Sequence, residues 1–298
     1  MTAHSTVTAI APACQVCVRN QAQSAARFAR LNKQQTEHVM AVVAQQIEQS
    51  RTKPIIVQNI VRTVADAIIN ELCAAEDFDI YGSVKELSNK IACQYINTFK
   101  KQIEQSDSPL EKAIQIAAAG NIIDFGAKSH GEIDIEKELE NLNKTGFNRY
   151  DINPFRAALE RAKSLLYICD NSGEIVCDML FITQLKKQYP RLTITAAVRE
   201  KPIINDATMQ DARSIGLTDV VSVISSGSIY PGTILNETCS EFKSLYKSSD
   251  VVLSKGQGNY ETLLPTSDKR LFFLLRIKCE AMAALSSVEI GSLVLLQG

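Results

Sequence analysis

Residues 165–169 form a short apolar run that stops abruptly at Asp170-Asn171. Gly173 follows, and an amphipathic segment then runs to about residue 189. That order reads as a buried strand, a tight turn and a helix. It puts two oxygen-bearing side chains at the carboxyl end of the strand, where open α/β sheets hold their ligands. The rhythm then repeats. Apolar strands are expected at 165–169, 193–198, 220–224 and 251–253, with helices near 175–188, 207–215 and 237–247. Residues 272–277 and 293–296 read as two further strands. Such alternation predicts an α/β fold with a mainly parallel sheet covered on both faces.

The first half has a different pattern. Residues 14–106 are rich in Ala and Gln and carry apolar residues at helical spacing, as at Ile56, Ile60, Val64, Ala67 and Ile68. Ser83 with Glu86 three residues on forms a capping box for a helix reaching about residue 101. Asp107-Ser108-Pro109 opens another helix over 110–119. Gly120-Asn121-Ile122-Ile123-Asp124-Phe125-Gly126 then interrupts, either as turn chemistry or as a loop lining a site. The change of rhythm predicts an all-helical domain over 1–152 and an α/β domain over 153–298.

The chain has 298 residues, 45% of them hydrophobic and 22% charged, with a net charge of −1. That composition suits a soluble globular protein. The charge balance gives no basic excess for nucleic acid or an anionic membrane, so any anion binding must be local. Residues 1–12 lack a basic start followed by an apolar core, and the run 271–277 is too short to span a bilayer. A cytoplasmic location is expected. Of the eight cysteines, several sit in apolar runs as small hydrophobes, and reduced thiols are the default without an export signal.

Four strand ends in turn carry polar groups. Asp170 and Asn171 are hard oxygen donors of the kind that hold Mg²⁺ or Mn²⁺. After the second strand, Pro202 stiffens a loop that delivers Asn205-Asp206 to the same sheet edge, where Asp206 is able to complete a three-oxygen site. Each pair also suits a helix N-cap, and the sequence of either loop alone favours that reading. The third loop, Ser225-Ser226-Gly227-Ser228, offers backbone amides and hydroxyls around Ser226 and Gly227 for an anion. The fourth, Ser254-Lys255-Gly256-Gln257-Gly258-Asn259, adds a point charge at Lys255, close backbone approach at Gly256 and Gly258, and an amide at Asn259. The lysine precedes the glycines, so this is not a Walker A loop.

These blocks resemble a family. Cys169-Asp170-Asn171-Ser172-Gly173-Glu174, Pro202-Ile203-Ile204-Asn205-Asp206-Ala207-Thr208 and Lys255-Gly256-Gln257-Gly258-Asn259-Tyr260-Glu261-Thr262-Leu263 are similar to the signature blocks of the metal-dependent damage-control phosphatases. Cys14-Gln15-Val16-Cys17 and Gly120-Asn121-Ile122-Ile123-Asp124 resemble the prokaryotic, stand-alone branch. The resemblance covers nearly the whole chain. It implies a helical N-terminal domain and a Rossmann-like three-layer α/β/α domain. It also implies a divalent cation (Mn²⁺, Mg²⁺, Co²⁺ or Ni²⁺) at Asp170, Asn171 and Asp206, with Lys255 on the phosphate. The activity implied is hydrolysis of phosphate esters of sugars or damaged phosphometabolites, and Asn121 joins the expected phosphate-binding set.

Cys14 and Cys17 alone make a weak zinc signal, because a structural site needs four ligands. His4 and His38 are the histidines that could join them. Two plain thiols remain the competing reading. None of the three histidines falls near the strand ends, so no Ser-His-Asp or Cys-His arrangement is available. Glu174 either orients water or favours the helix N-terminus electrostatically. Two other functions fit the same fold class. One is an S-adenosylmethionine-dependent carboxyl methyltransferase, although the first turn has one glycine where a dinucleotide or methyl-donor site prefers several. The other is a non-catalytic sugar-phosphate-binding protein. The oligomeric state and the substrate are not encoded legibly.

Overall fold

The computed structural model describes residues 10–120 and 146–298. Six helices come first: α1 (Pro12–Phe28), α2 (Lys33–Gln49), α3 (Val57–Glu71), α4 (Gly82–Gln94), α5 (Ile96–Glu104) and α6 (Pro109–Gly120). The short strand β1 (Arg149–Tyr150) and α7 (Ile152–Arg161) lead into the alternation. It runs β2 (Ser164–Ile168), α8 (Glu174–Gln188), β3 (Thr193–Val198), α9 (Met209–Ser214), α10 (Leu217–Val220) and β4 (Ser222–Ser225). It continues with α11 (Ser240–Ser248), β5 (Val251–Lys255), α12 (Gln257–Leu263), β6 (Leu271–Arg276), α13 (Glu280–Ser286) and β7 (Leu293–Gln297).

The seven strands form one sheet in the order β1-β7-β6-β5-β2-β3-β4. Every neighbouring pair is parallel except β6 with β7. The chain steps outward from β2 through β3 to β4, then returns to place β5 on the other side of β2. The crevice beyond β2 and β5 is therefore the point where strand order reverses, the usual ligand position of such sheets. Strands β2, β5 and β6 are buried on both faces, as a doubly covered sheet requires. One face packs α6, α7 and α8 through Ile114, Phe155, Phe181 and Phe272, and the other packs α11 and α12 through Phe242, Tyr260 and Phe273.

The chain divides into two compact units. The first contains the residues up to Gly82 with 201–204 and 229–231, and the second contains the remainder. In the first unit, α1, α2 and α3 enclose Val18, Val39, Val43, Ile60 and Ile68, and Ile203 joins this core. The first compact unit thus ends at Gly82, and the helices between there and residue 152 pack in the second. The cause is packing: α5 and α6 bury Phe99, Ile103 and Ile114 against the α/β core and so belong to it.

Local boundaries also differ. The helix expected to reach residue 101 breaks at Tyr95 into α4 and α5. The third strand starts at Ser222, because 217–220 form a helical turn after Gly216, which has φ +77°.

Candidate active site

Two loops are stitched together at the end of the sheet. The Ala207 amide donates to the Asp170 carbonyl at 2.7 Å, the Ser172 amide donates to the Asn205 carbonyl at 2.9 Å, and Asn171 and Asp206 form an isolated antiparallel bridge. Backbone bonds thus bring Asp170, Asn171 and Asp206 to one place. None of the three acts as a helix cap. The N-cap of α8 is Gly173, with no side chain bonded to it, and the cap of α9 is Thr208, whose capping box uses Asp211. The cap reading is therefore replaced by other partners.

Those partners are charged and buried. Asn171 Nδ2 donates to Asp170 Oδ2 at 2.7 Å and to Glu174 Oε2 at 3.4 Å. Asp206 Oδ2 accepts from Arg199 Nε at 2.7 Å, while Arg199 Nη2 lies 3.9 Å from Asp170 Oδ1. Arg199 is one of the largest fully buried side chains of the protein. It also donates to Thr233 Oγ1 at 3.1 Å and to Asn259 Oδ1 at 2.9 Å. Asn259 in turn donates to the carbonyls of Lys255 and Cys169, which ties β5 to β2.

Gly256 packs directly against Asp170. Its φ is +77° and its ψ 163°, and a Cβ there would fall 1.8 Å from Asp170 Oδ2. Gly258 is used differently, its carbonyl lying 2.7 Å from the position of a Cβ on Gly232.

Lys255, expected on the phosphate, has buried protein partners. Its Nζ donates to Glu174 Oε1 at 2.6 Å, Asp178 Oδ1 at 2.5 Å and the Ala117 carbonyl at 3.0 Å, and the side chain is fully buried. An ammonium has three donors, so none is left for a ligand in this arrangement. Ser226 and Gly227 are also engaged locally. Ser226 Oγ accepts from the Ser228 amide, the Ser226 carbonyl accepts from the Cys239 amide, and a Cβ on Gly227 would meet Cys239 N at 2.5 Å. Cys14, half-buried, and Cys17, exposed, lie near the start of α1 in the first unit, where His38 pairs with Glu71. Asn121 and His4 lie outside the described residues.

The cluster holds four buried carboxylates, Asp170, Glu174, Asp178 and Asp206, against two buried cations, Arg199 and Lys255. Among the described residues the formal excess is two negative charges. Its electrostatic signature is consistent. Burial, then Asp206 and Glu174, push the Asp170 carboxyl well above its ordinary range. Burial also raises Asp206, against the pull of Arg199. Burial raises Asp178 to about 6, with Lys255 opposing. Lys255 itself is lowered by burial, but Asp178 and Glu174 outweigh this and hold it above its ordinary value. Lys278 is exposed and close enough to draw the Asp170 pKa down.

Two carboxylates, an amide and a formal charge of −2 suit a divalent oxygen-seeking cation. Among the described residues no group of three His, Cys, Asp or Glu is arranged to hold a metal, and the strand-end oxygens brought together are those of Asp170, Asn171 and Asp206. Sequence reasoning missed Arg199, Thr233 and Lys278. Arg199 immediately follows the apolar run 193–198, and that adjacency was the available signal.

Fold and cluster together define an α/β protein of Rossmann-like topology with an acidic site at the switch point of its sheet. The chain belongs to the damage-control phosphatase family: the damage-control phosphatase ARMT1-like domain matches residues 10–294. It is 31% identical to the damage-control phosphatase PH1575 of Pyrococcus horikoshii, over 94% of this chain and 95% of that protein. It is 32% identical to a damage-control phosphatase of Archaeoglobus fulgidus, over 72% and 75% of the two chains. The crystal structure of a DUF89 family protein, PH1575 from Pyrococcus horikoshii, superposes with a TM-score of 0.87 at 30% identity, covering 97% of this chain and 98% of that one.

Proposed function

We propose that the protein is a metal-dependent phosphatase that hydrolyses phosphomonoesters of small metabolites, sugar phosphates or damaged phosphometabolites. The observation that carries this reading is the excess of two buried negative charges around Asp170 and Asp206. Asp170, Asn171 and Asp206 would hold Mg²⁺, Mn²⁺, Co²⁺ or Ni²⁺. Such a cation supplies Lewis-acid neutralisation of phosphate charge and a more acidic water. The names of the Pyrococcus and Archaeoglobus relatives support the phosphatase class.

The chain's own residues do the positioning. Arg199 fixes the Asp206 carboxylate and ties it through Asn259 to the end of β5. Gly256 lets the β5 backbone lie against Asp170. Lys255 pairs with Glu174 and Asp178 beneath the site, and the exposed Lys278, whose charge acts on Asp170, would meet a phosphate oxygen. Fixed charges of this kind provide most of the catalysis in phosphoryl transfer.

The test is phosphate release from p-nitrophenyl phosphate and a panel of sugar phosphates, with each of the four cations and then with chelator. Cation-dependent release, abolished by chelator, is expected. No release under any condition contradicts the reading, as does unchanged turnover in Asp170→Ala. Tight binding of S-adenosylmethionine without metal would favour a methyltransferase instead.

A further inference from the structure

Asn89 lies on α4, far in sequence from the strand-end loops, and is buried. Its Oδ1 accepts from the Gly173 amide at 2.7 Å, and its Nδ2 donates to Asp211 Oδ1 at 3.0 Å. Gly173 is two residues beyond Asn171 and caps α8. The other oxygen of Asp211, Oδ2, accepts from the amide and hydroxyl of Thr208, both at 2.8 Å, and pairs with Lys85 Nζ at 2.8 Å. Thr208 is two residues beyond Asp206.

One side chain thus spans the two loops that carry Asp170-Asn171 and Asp206. Backbone bonds join the loops at Asp170–Ala207 and Ser172–Asn205, and Asn89 joins them again one residue further along each, through Gly173 and, via Asp211, Thr208. Every polar atom of this bridge has a partner that matches it: amide oxygen to N–H, amide N–H to carboxylate, carboxylate to hydroxyl, N–H and ammonium. Burial pushes the Asp211 carboxyl up, but Lys85 and Thr208 outweigh it and leave the pKa below its ordinary value, so the acceptor is ionised.

We infer that Asn89, with Asp211, is a positioning pair that sets the spacing of the cation-binding loops. The inference rests on the proposed metal site. Residues that hold metal ligands in place from behind typically change metal affinity or activity by about 10–100-fold when removed.

The test is a double-mutant cycle read by calorimetric Mn²⁺ titration of the metal-free full-length protein, with melting temperature and turnover in parallel. Asn89→Asp sets two carboxylates face to face. Asp211→Asn sets two donor amides face to face, or turns its oxygen away from Thr208. The exchange Asn89→Asp with Asp211→Asn restores both bonds at unchanged net charge. Each single variant is expected to weaken Mn²⁺ binding by about tenfold or more, and the exchange to return it to within about threefold of wild type. Should a single variant melt too low to titrate, Asn89→Ser keeps an acceptor near Gly173 and removes the reach to Asp211, with the same loss expected. Folded single variants with wild-type Mn²⁺ affinity, or an exchange that restores melting temperature and leaves affinity low, overturn the pair's role. Absence of Mn²⁺ binding by the wild-type protein would instead overturn the metal site itself.

Discussion

Gly256 and Asp170 stand so close that a Cβ on the glycine would fall 1.8 Å from the carboxylate oxygen Oδ2. The contact joins the ends of β5 and β2 at the point where strand order reverses. With φ +77° and ψ 163°, Gly256 also occupies backbone space that is essentially restricted to glycine, at about 1–3 kcal/mol for other residues. Gly256→Ala is therefore predicted to displace Asp170 and lower kcat by about 100-fold, a loss of about 2.7 kcal/mol in transition-state stabilisation. Steady-state kinetics with p-nitrophenyl phosphate checks this.

Two lysines near the site are predicted to behave oppositely. Lys255→Met leaves Glu174 and Asp178 buried without their cation, a change that costs about 3–5 kcal/mol when a buried pair is broken. The melting temperature is expected to fall by about 10 °C. Lys278→Met removes an exposed charge, so the melting temperature holds while KM rises by about tenfold, about 1.4 kcal/mol of lost binding. A raised KM with an unchanged melting temperature in Lys255→Met would restore that lysine as the phosphate contact.

The pH dependence of stability has a defined sign. Asp178 is raised by burial to about 6, and Asp170 and Asp206 are raised by burial as well. A carboxyl with a raised folded pKa binds protons that the unfolded chain releases, so its contribution favours folding at low pH and is lost as pH rises through the folded value. For Asp178 that window runs from about 4, the ordinary carboxyl pKa, to about 6. The metal-free protein is predicted to melt higher at about pH 5.5 than at about pH 7.5, and saturating Mn²⁺ to remove the difference. Asp211, held below its ordinary value, acts in the opposite sense and only at more acid pH. Differential scanning calorimetry with and without Mn²⁺ reads both effects. A metal-free melting temperature that falls from about pH 7.5 to about pH 5.5 contradicts the charge excess.

Arg199→Lys keeps the charge and loses the planar fork that serves Asp206, Thr233 and Asn259 together. Turnover is predicted to fall by about 10–100-fold, with Mn²⁺ affinity reduced as Asp206 loses its fixed orientation. Rates measured over a Mn²⁺ series separate the two effects.

The alternation of strands and helices was legible because β2, β3, β5 and β6 are short apolar runs ended by polar residues. Asp170, Asn171 and Asp206 were legible as strand-end oxygens, whereas the contact of Gly256 with Asp170 was not. What sequence did not reveal is which partner a charge takes when distant segments meet. Lys255 reads as a point charge at a strand end, yet Glu174 and Asp178, on the helix after a different strand, enclose it. Arg199 reads as the start of a loop, although its side chain turns inward to Asp206. The capping interpretation of Asp170 and Asp206 failed for a related reason: Gly173 and Thr208, a few residues on, occupy the cap positions. Asn89 offered no signal, because its partners lie 84 and 122 residues away.

The most direct measurement is phosphate release by the chelator-treated protein on re-addition of Mn²⁺, compared between wild type and Asp206→Ala. Mn²⁺ is expected to restore turnover to the wild type while Asp206→Ala stays at least about 100-fold slower, about 2.7 kcal/mol or more in transition-state stabilisation. Equal Mn²⁺-restored turnover in the two proteins would contradict this.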